Sequence, residues 1–415
     1  QPQVDLEGVS YDSRSLRPGQ LFVPIVADRN GHDYIDAAVS AGAPAYLTTG
    51  RRTSGGAVAI EVGDTTQALL ELGRFLRRRL PDRVLGITGS VGKTSVKDLA
   101  HVVVAARWRT AASEKSLNND WGLPATIVNA PDNTEALVLE MGMRGLGEIA
   151  RLCGVARPDV GIVTRVAAAH TERVGGIEGV AQAKAELVES LPASGCAVLN
   201  ADDPRVLAMR KRTPARVLTF GREAGDVRVE SLRLDELARP HFVLRTPWGS
   251  VDVALPVSGA HMAVNAAAAA AAGLILEVPL AAIPQALSTA RLSPWRMEML
   301  RTAGGAVVLN DAYNANPASM LAALDTLAAL RATRHVAVLG VMAELDDPES
   351  EHRAIAAAAH ERGIAVVAVG THWYGIAPTD DPLGALGVLS PTDAVLVKAS
   401  RVAGLERLAA QLVGG

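Results

Sequence analysis

The chain has 415 residues, of which 49% are hydrophobic and 20% are charged, and its formal net charge is −3. This composition is typical of a globular protein with two or three domains and excludes a disordered chain. Because there is no basic excess, we do not expect a surface that binds nucleic acid.

Two cysteines, Cys153 and Cys196, are too few for a disulfide framework, and their apolar surroundings predict buried free thiols. The longest apolar run, residues 266–276, is too short and too rich in alanine to span a bilayer. The first residues do not resemble a secretory signal. We therefore expect a cytoplasmic protein without a membrane span, and a monomer.

The first 82 residues are predicted to form a small α/β unit. A strand is expected at 21–26 and a helix near 34–41. The basic stretch 77–83, interrupted by Leu80-Pro81-Asp82, marks the predicted boundary with the next domain.

From residue 84 onward, short apolar runs alternate with helix-length segments. This alternation predicts a parallel sheet covered by helices. The turn signal Pro247-Trp248-Gly249 indicates an antiparallel edge to the same sheet between 227 and 257. The central domain is predicted over 83–293, with strands at 84–88, 136–139, 160–163 and 197–199, and helices at 260–276 and 280–289.

A junction containing Pro294 opens a second alternating series, with strands near 307–309, 336–339, 366–369 and 395–397. We interpret it as a separate Rossmann-like α/β domain over 294–415. The expected fold class is therefore α/β with three domains, in which the central one is a parallel-sheet ATPase domain with an antiparallel edge.

A phosphate-binding loop is predicted where the strand at 84–88 gives way to a helix. Glycines let the backbone approach phosphate oxygens, and the helix N-terminus supplies N–H donors. Lys93 would reach the β- and γ-phosphates of ATP, and the Thr94 hydroxyl would hold Mg²⁺. Ile87 replaces the first glycine of the general pattern, and a chance glycine-rich turn is the alternative. The predicted nucleotide-binding residues are Thr88, Gly89, Ser90, Val91, Gly92, Lys93, Thr94 and Ser95.

Further motifs along nearly the whole chain resemble the Mur ligase family, whose members add amino acids or dipeptides to the peptidoglycan precursor. They occur in the same order as in the family, and each predicted domain contains at least one of them. The motifs are Asp12-Ser13-Arg14, Gly31-His32-Asp33-Tyr34, Asn118-Asn119-Asp120-Trp121-Gly122-Leu123-Pro124, Leu139-Glu140-Met141-Gly142, Ala169-His170-Thr171-Glu172, Gln182-Ala183-Lys184-Ala185-Glu186, Gly259-Ala260-His261-Met262-Ala263-Val264-Asn265, Trp295-Arg296-Met297-Glu298 and Asn310-Asp311-Ala312-Tyr313-Asn314.

The resemblance implies two Mg²⁺ ions beside ATP. It makes Glu140 a ligand of one ion, and His170 with a carbamylated Lys184 the ligands of the other. The residues alone indicate a solvated helix charge for Lys184. A lone histidine is usually structural, but the position of His170 after a strand and after the phosphate loop favours the ligand role. A carboxylate at the end of a parallel strand is nevertheless a suitable hard donor for Mg²⁺.

The remaining roles also follow from the resemblance. Arg296 would lie near the phosphates, and the C-terminal domain would close over the loop to complete the site. For the residues that follow, an ordinary role in a turn or a helix cap is the alternative. The family pattern assigns nucleotide contacts to His261, Asn265, Asn310, Asp311, Tyr313 and Asn314, and contacts to the UDP-linked precursor to Ser13, Arg14, His32, Asn118 and Asn119.

The predicted activity is an ATP-dependent ligase that joins a carboxylate to an amine through an acyl phosphate. The segment from Asn310 to Met320 favours UDP-N-acetylmuramoyl-tripeptide and D-alanyl-D-alanine as substrates. Arg165, Met262 and Val341 depart from the family's usual residues. A family member that adds a single amino acid, a related ligase of another pathway, and a P-loop ATPase or kinase without ligation are the alternatives.

Overall fold

The computed structural model describes residues 4–50, 55–114, 116–167 and 174–414, which form three β-sheets with packed helices. The predicted α/β class with three units is confirmed. Across these ranges, no helix combines the length and the apolar character needed to cross a membrane. Cys153 and Cys196 are buried free thiols, as predicted.

The first sheet has four parallel strands in chain order. The strand predicted at 21–26 ends at Phe22, because Pro24 has no N–H with which to continue the ladder. The elements of this unit are β1 (Val9–Ser10), β2 (Leu21–Phe22), β3 (Ala45–Thr48), β4 (Val58–Glu61), the 3₁₀ helix Gly31–Tyr34 and the helices Ile35–Ser40 and Thr65–Arg77.

The first unit is bonded to the central one. Arg77 was expected at a charged boundary, but its side chain is buried and donates to the carbonyl of Ala156 at 2.7 Å. The Asn129 side chain accepts from the backbone N–H of Val9 at 2.8 Å and donates to the Val9 carbonyl at 3.0 Å. The domain boundaries after residues 82 and 293 stay predictions.

The central sheet has nine strands in the order β13-β12-β11-β10-β9-β8-β5-β7-β6. Strands β5 to β10 pair in parallel, and the predicted antiparallel edge is formed by β11, β12 and β13. The strands are β5 (Val84–Thr88), β6 (Thr110–Ala112), β7 (Ala136–Glu140), β8 (Val160–Val163), β9 (Cys196–Asn200), β10 (Arg216–Gly221), β11 (Val227–Leu234), β12 (Pro240–Thr246) and β13 (Gly249–Ala254).

Helices cover this sheet on both faces, and their packing places the phosphate loop. The alanine-rich helix His261–Ile275 lies against helix Lys93–Ala105 so closely that a Cβ on Gly273 would clash with Val103. Small side chains permit this approach. The helices are Lys93–Ala105, Gly122–Val128, Glu148–Ala156, Gly176–Glu189, Pro204–Ala208, His261–Ile275 and Ile283–Ser288, with 3₁₀ turns Met209–Lys211 and Leu280–Ala282.

The C-terminal sheet has the order β14-β15-β18-β16-β17, and β14 is its antiparallel edge. Asn316 caps the helix that Pro317 begins. The elements are β14 (Glu298–Arg301), β15 (Val307–Asn310), β16 (Arg334–Leu339), β17 (Ala365–Ala368), β18 (Asp393–Lys398), the helices Pro317–Ala329, Pro348–Glu361, Pro382–Leu386 and Glu406–Gly414, and the 3₁₀ turn Arg401–Ala403.

Candidate active site

A cleft of 580 Å³ opens at the C-terminal end of β5, between the central and C-terminal units. Its volume lies in the range of about 300–1,000 Å³ that is usual for small-molecule sites. Strand β5 lies between β8 and β7, so the cleft is at a position where parallel sheets present ligands. The predicted site residues that line it are Gly89, Ser90, Val91, Gly92, Lys93, Thr94, Ser95, Asn118, Asn119, Glu140, Lys184, His261, Asn265, Arg296, Asp311, Tyr313 and Asn314.

Two predicted nucleotide contacts support the cleft from behind instead of lining it. The Thr88 side chain is buried and its hydroxyl donates to the Met141 carbonyl at 2.9 Å. The Asn310 amide donates to Oε2 of Glu298 at 3.1 Å and is also buried. Both side chains are used to join neighbouring strand ends. His170 lies outside the described residues, and its ligand role stays a prediction.

The predicted precursor contacts of the first unit lie away from the cleft lining. Ser13 and Arg14 follow β1, and the exposed Arg14 guanidinium pairs with Asp12 at 2.7 Å. The ring of His32 is buried; one nitrogen lies 2.9 Å from Oδ1 of Asn30 and the other accepts from the backbone just after β3 at 3.2 Å. His32 therefore orders a turn here, and a substrate contact by it stays a prediction.

The phosphate loop has the backbone conformation that its glycines predict. Gly89 and Gly92 have φ of +149° and +86°, a region that favours glycine. A Cβ on Gly89 would overlap the Thr164 hydroxyl. The Lys93 ammonium donates to the Gly89 carbonyl at 2.7 Å across the loop. Gly89 and Gly92 thus supply the glycine conformations of the loop, although Ile87 stands where the general pattern has a glycine.

The segment after β8 holds the loop in place, which the sequence did not predict. The Thr164 hydroxyl donates to the Val91 carbonyl at 2.6 Å. The Ser90 N–H donates to the Arg165 carbonyl at 2.7 Å, and the Ser90 hydroxyl bonds Ala167 at 2.9 and 3.0 Å. The loop is therefore preorganised by its neighbouring strand.

Oxygen atoms converge at the first turn of the loop helix. The Thr94 hydroxyl donates to Oε2 of Glu140 at 2.7 Å, and the Asn118 amide donates to Oε1 at 2.7 Å. The Ser116 hydroxyl, which sequence reasoning missed, lies 3.4 Å from that of Thr94. Glu140 is 1% exposed. A buried carboxylate with hydroxyl neighbours is a suitable donor set for Mg²⁺.

Lys184 is buried, although its sequence context indicated a solvated helix charge. Its exposed fraction is 3%, and burial lowers the pKa of its ammonium well below the usual range, with the nearby Lys93 lowering it further. Burial also lowers the pKa of Lys93, which Glu140 opposes. Burial therefore shifts the amine of Lys184 toward its neutral, nucleophilic form.

The helix N-terminus at His261 forms another wall of the cleft. A Cβ on Gly92 would lie 3.0 Å from Oδ1 of Asn265, so this amide closely adjoins the phosphate loop. Among the described residues, Nδ1 of His261 is buried without a hydrogen-bond partner, and burial lowers the pKa of the ring. His261 and Asn265 are four residues apart in the helix and both line the cleft.

Arg296 enters the cleft from the C-terminal unit. Its Nη2 donates to the Ser116 hydroxyl at 3.1 Å, and its guanidinium lies 4.1 Å from the centre of the Tyr313 ring. Nε of Arg296 is buried and has no hydrogen-bond partner in the part of the chain that the structure describes. A cation with an unsatisfied donor beside a phosphate loop is suited to bind an anion.

Lys398 and Asp311 complete the C-terminal wall. Lys398 forms an ion pair with Asp311 and donates to the Asn314 carbonyl at 2.9 Å. The other carboxylate oxygen of Asp311 accepts from the N–H of Met297 at 3.0 Å. Because these residues line the same cleft as the phosphate loop, the C-terminal unit already lies over the loop in this conformation.

The arrangement matches known proteins along nearly the whole chain. Residues 87–273 match the family described as Mur ligase middle domain, and residues 295–383 match Mur ligase, glutamate ligase domain. The chain belongs to the Mur ligase family. The expected family, its ligase activity and its fold are therefore confirmed.

Individual relatives extend this similarity. UDP-N-acetylmuramoyl-tripeptide--D-alanyl-D-alanine ligase of Mycobacterium tuberculosis is 37% identical, with 98% of this chain and 92% of that protein covered. The enzyme of that name from Escherichia coli is 36% identical, with 90% and 83% covered. The crystal structure of MurF from Thermotoga maritima in complex with ADP matches with a TM-score of 0.83 and 26% sequence identity. The match covers 99% of this chain and 98% of that one.

Proposed function

We propose that this Mur ligase joins D-alanyl-D-alanine to the terminal carboxylate of UDP-N-acetylmuramoyl-tripeptide, with cleavage of ATP to ADP and phosphate, during peptidoglycan precursor synthesis. The observation that carries the proposal is the single cleft in which the phosphate loop, Glu140, Arg296 and the Asp311–Lys398 pair face one another. Relatives named for this reaction align with almost the entire chain.

ATP would bind with its phosphates over the loop. Backbone N–H groups at the start of helix Lys93–Ala105 and the positive end of its dipole favour the phosphate charge. Lys93 would exchange its single carbonyl partner, Gly89, for phosphate oxygens. Arg296 lies on the opposite wall with an unpartnered Nε, so the two cations would hold the transferring group between them.

The Thr94 hydroxyl and the Glu140 carboxylate fit one Mg²⁺, with Ser116 next to them. Mg²⁺ bound there would neutralise charge that develops on the γ-phosphate. Lys184 fits a second ion only after modification, because a protonated amine cannot ligate a cation. The neutral form of its buried amine, which burial favours, can add CO₂ and lose a proton to give a carbamate, which with His170 would supply the second set of ligands.

The chemistry has two steps. An oxygen of the precursor carboxylate attacks the γ-phosphorus, the bond to ADP breaks, and an acyl phosphate forms. The amine of the dipeptide then attacks the acyl carbon and loses a proton, and the C–O bond breaks to release phosphate. Lys93 and Arg296 would stabilise the phosphoryl group in the first step, since such transfers depend on positioning and electrostatics.

The two substrates would enter from opposite sides of the cleft. Asn118 and Asn119 line the cleft, and Trp121, which also lines it, packs against the core of the first unit. The precursor peptide would therefore pass along this side, with its UDP group held near Ser13 and Arg14. Asp311 and its neighbours on the C-terminal wall would contact ATP or receive the dipeptide.

An acceptor comparison tests the proposal. Purified protein is incubated with ATP, Mg²⁺ and UDP-N-acetylmuramoyl-tripeptide, and products are measured by mass spectrometry with D-alanyl-D-alanine, single amino acids or no amine. We expect one dipeptide adduct and no single-residue adduct. Addition of a single amino acid would show that D-alanyl-D-alanine is not the acceptor. ADP formation without any acceptor would instead indicate an ATPase or kinase.

A further inference from the structure

The junction between the central and C-terminal units is bonded to the helix that begins at the phosphate loop. Asp98 of helix Lys93–Ala105 accepts from the backbone N–H of Ser293 at 2.7 Å and from its hydroxyl at 3.1 Å. The Asp98 side chain is 11% exposed. One carboxylate thus holds both hydrogen-bond donors of Ser293, the residue at the predicted end of the central unit.

Lys97 continues this contact toward the cleft. Its ammonium pairs with Oδ1 of Asp98 at 2.8 Å and donates to the Ser113 carbonyl at 2.8 Å. The Ser113 hydroxyl accepts from the backbone N–H of Glu140 at 3.2 Å. The junction therefore shares one hydrogen-bonded network with the carboxylate proposed to hold Mg²⁺.

Beyond the junction, the backbone is strained around Arg296. Trp295 and Met297 have φ of +63° and +48°, which is unusual for residues with side chains. Such conformations persist only where the surroundings hold them. The Trp295 carbonyl accepts from the N–H of Tyr313 at 3.2 Å, and its ring lies 4.3 Å from the Arg401 guanidinium.

We propose that Asp98 is a positioning residue of the ligase reaction, which acts through Arg296. By holding Ser293 against the phosphate-loop helix, it fixes the start of the short strained segment that carries the Arg296 guanidinium to the phosphates. Release of Ser293 would let this segment relax and withdraw Arg296 from the transferring group. The inference rests on the role proposed for Arg296, and reaches a residue that does not itself touch a substrate.

A double-mutant cycle in the full-length enzyme tests this. We expect Asp98→Ala to lower kcat about 30-fold, because displacements near 1 Å can cost about 100-fold. KM for ATP should change less than about threefold, since the loop's phosphate donors remain. In an Arg296→Ala background, Asp98→Ala should lower kcat by less than about twofold, because both changes remove the same contact.

Two further variants keep the test decisive if Asp98→Ala folds poorly. Ser293→Ala removes the hydroxyl, with its bond to Asp98 at 3.1 Å and a longer contact from Lys97 at 3.5 Å, but leaves Lys97 paired with Asp98. We expect kcat to fall about threefold, again only when Arg296 is present. Asp226→Ala is the matched control, because Asp226 holds a residue in the same way but lies away from the cleft. Its carboxylate accepts from the N–H of Thr219 at 2.9 Å and from the Thr219 hydroxyl at 2.6 Å. It should leave kcat unchanged.

Equal losses of kcat in the presence and absence of Arg296 would overturn the proposal, as would normal kcat with only a lowered melting temperature. If Arg296→Ala retains full kcat, the role of Arg296 and this inference both fail. The acceptor comparison described above would be unaffected, so the ligase assignment is judged separately.

Discussion

The Thr94 hydroxyl donates to the Glu140 carboxylate at 2.7 Å and ties the first turn of the phosphate-loop helix to the end of β7. The carboxylate is 1% exposed, and its side-chain partners among the described residues, Thr94 and Asn118, are neutral. The nearby Lys93 interacts with this carboxylate electrostatically but donates to the Gly89 carbonyl. Because a buried anion needs close compensation, Glu140 is arranged to receive a further cation beside the phosphates.

Glu140→Gln should lower kcat at least about 100-fold, because the neutral amide cannot balance the charge of a bound Mg²⁺. The Mg²⁺ concentration for half-maximal rate should rise. Phosphate release measured against a Mg²⁺ titration checks both. Glu135→Gln is the control, since Glu135 precedes the same strand and pairs with Arg109 at 3.1 Å. Equal Mg²⁺ dependence in the two variants would contradict the assignment.

Gly89→Ala should abolish high-affinity ATP binding, because the new Cβ would overlap the Thr164 hydroxyl that holds the loop. We expect kcat/KM for ATP to fall at least about 100-fold. Gly370→Ala is the matched control: its φ is +70° with open space around it, so only a backbone cost of about 1–2 kcal/mol applies. Similar ATP binding in both variants would disprove the account of the loop.

Lys184→Met should abolish ligation and yet stabilise the fold near neutral pH in buffer freed of CO₂. Burial lowers the folded-state pKa of Lys184 well below 10.5, so between the two values the unfolded chain binds a proton that the folded chain lacks. The parent's stability consequently rises with pH in this window. The variant's advantage in melting temperature should shrink as pH rises toward 10.5.

Lys211→Met, on an exposed turn, controls for the loss of one lysine. Melting temperatures measured by circular dichroism from pH 7 to about 10 provide the comparison. A Lys184→Met variant that is less stable than the parent throughout would show that the amine is well compensated when charged, and would remove the basis for its carbamylation.

Much of the nucleotide site was predictable because its signals are local. A strand, two glycines and a helix start define the phosphate loop, and Glu140 ends a second predicted strand, β7, which pairs with β5. The burial of Lys184 was not predictable from its own helix. Polar residues alternate with alanine around it, and this local pattern fits a lysine that is exposed to solvent. It depends on how helix Gly176–Glu189 packs on β8.

Contacts between distant loops could not be predicted. Ser116 and Thr164 reach the loop only because of the strand order β8-β5-β7, which no local pattern encodes. Asp98 and Ser293 are 195 residues apart, and each has an ordinary local environment. In contrast, the predicted strand at 21–26 was too long for a local reason, because Pro24 has no N–H with which to continue the pairing.

Tyr313→Ala should lower kcat about 2- to 30-fold, because the ring holds the Arg296 guanidinium 4.1 Å from its centre by a cation–π contact. Tyr313→Phe keeps the ring and should retain kcat within about twofold. Steady-state phosphate release separates the two variants. If Phe is as damaging as Ala, the hydroxyl and not the ring is the important group.

Oxygen transfer from the precursor to phosphate tests the central claim most directly. UDP-N-acetylmuramoyl-tripeptide labelled with oxygen-18 in its terminal carboxylate is incubated with ATP, Mg²⁺ and D-alanyl-D-alanine, and the released phosphate is analysed by mass spectrometry. An acyl-phosphate ligase predicts one labelled oxygen in each phosphate and no release without the dipeptide. Unlabelled phosphate, or release without an acceptor, would contradict ligation through an acyl phosphate.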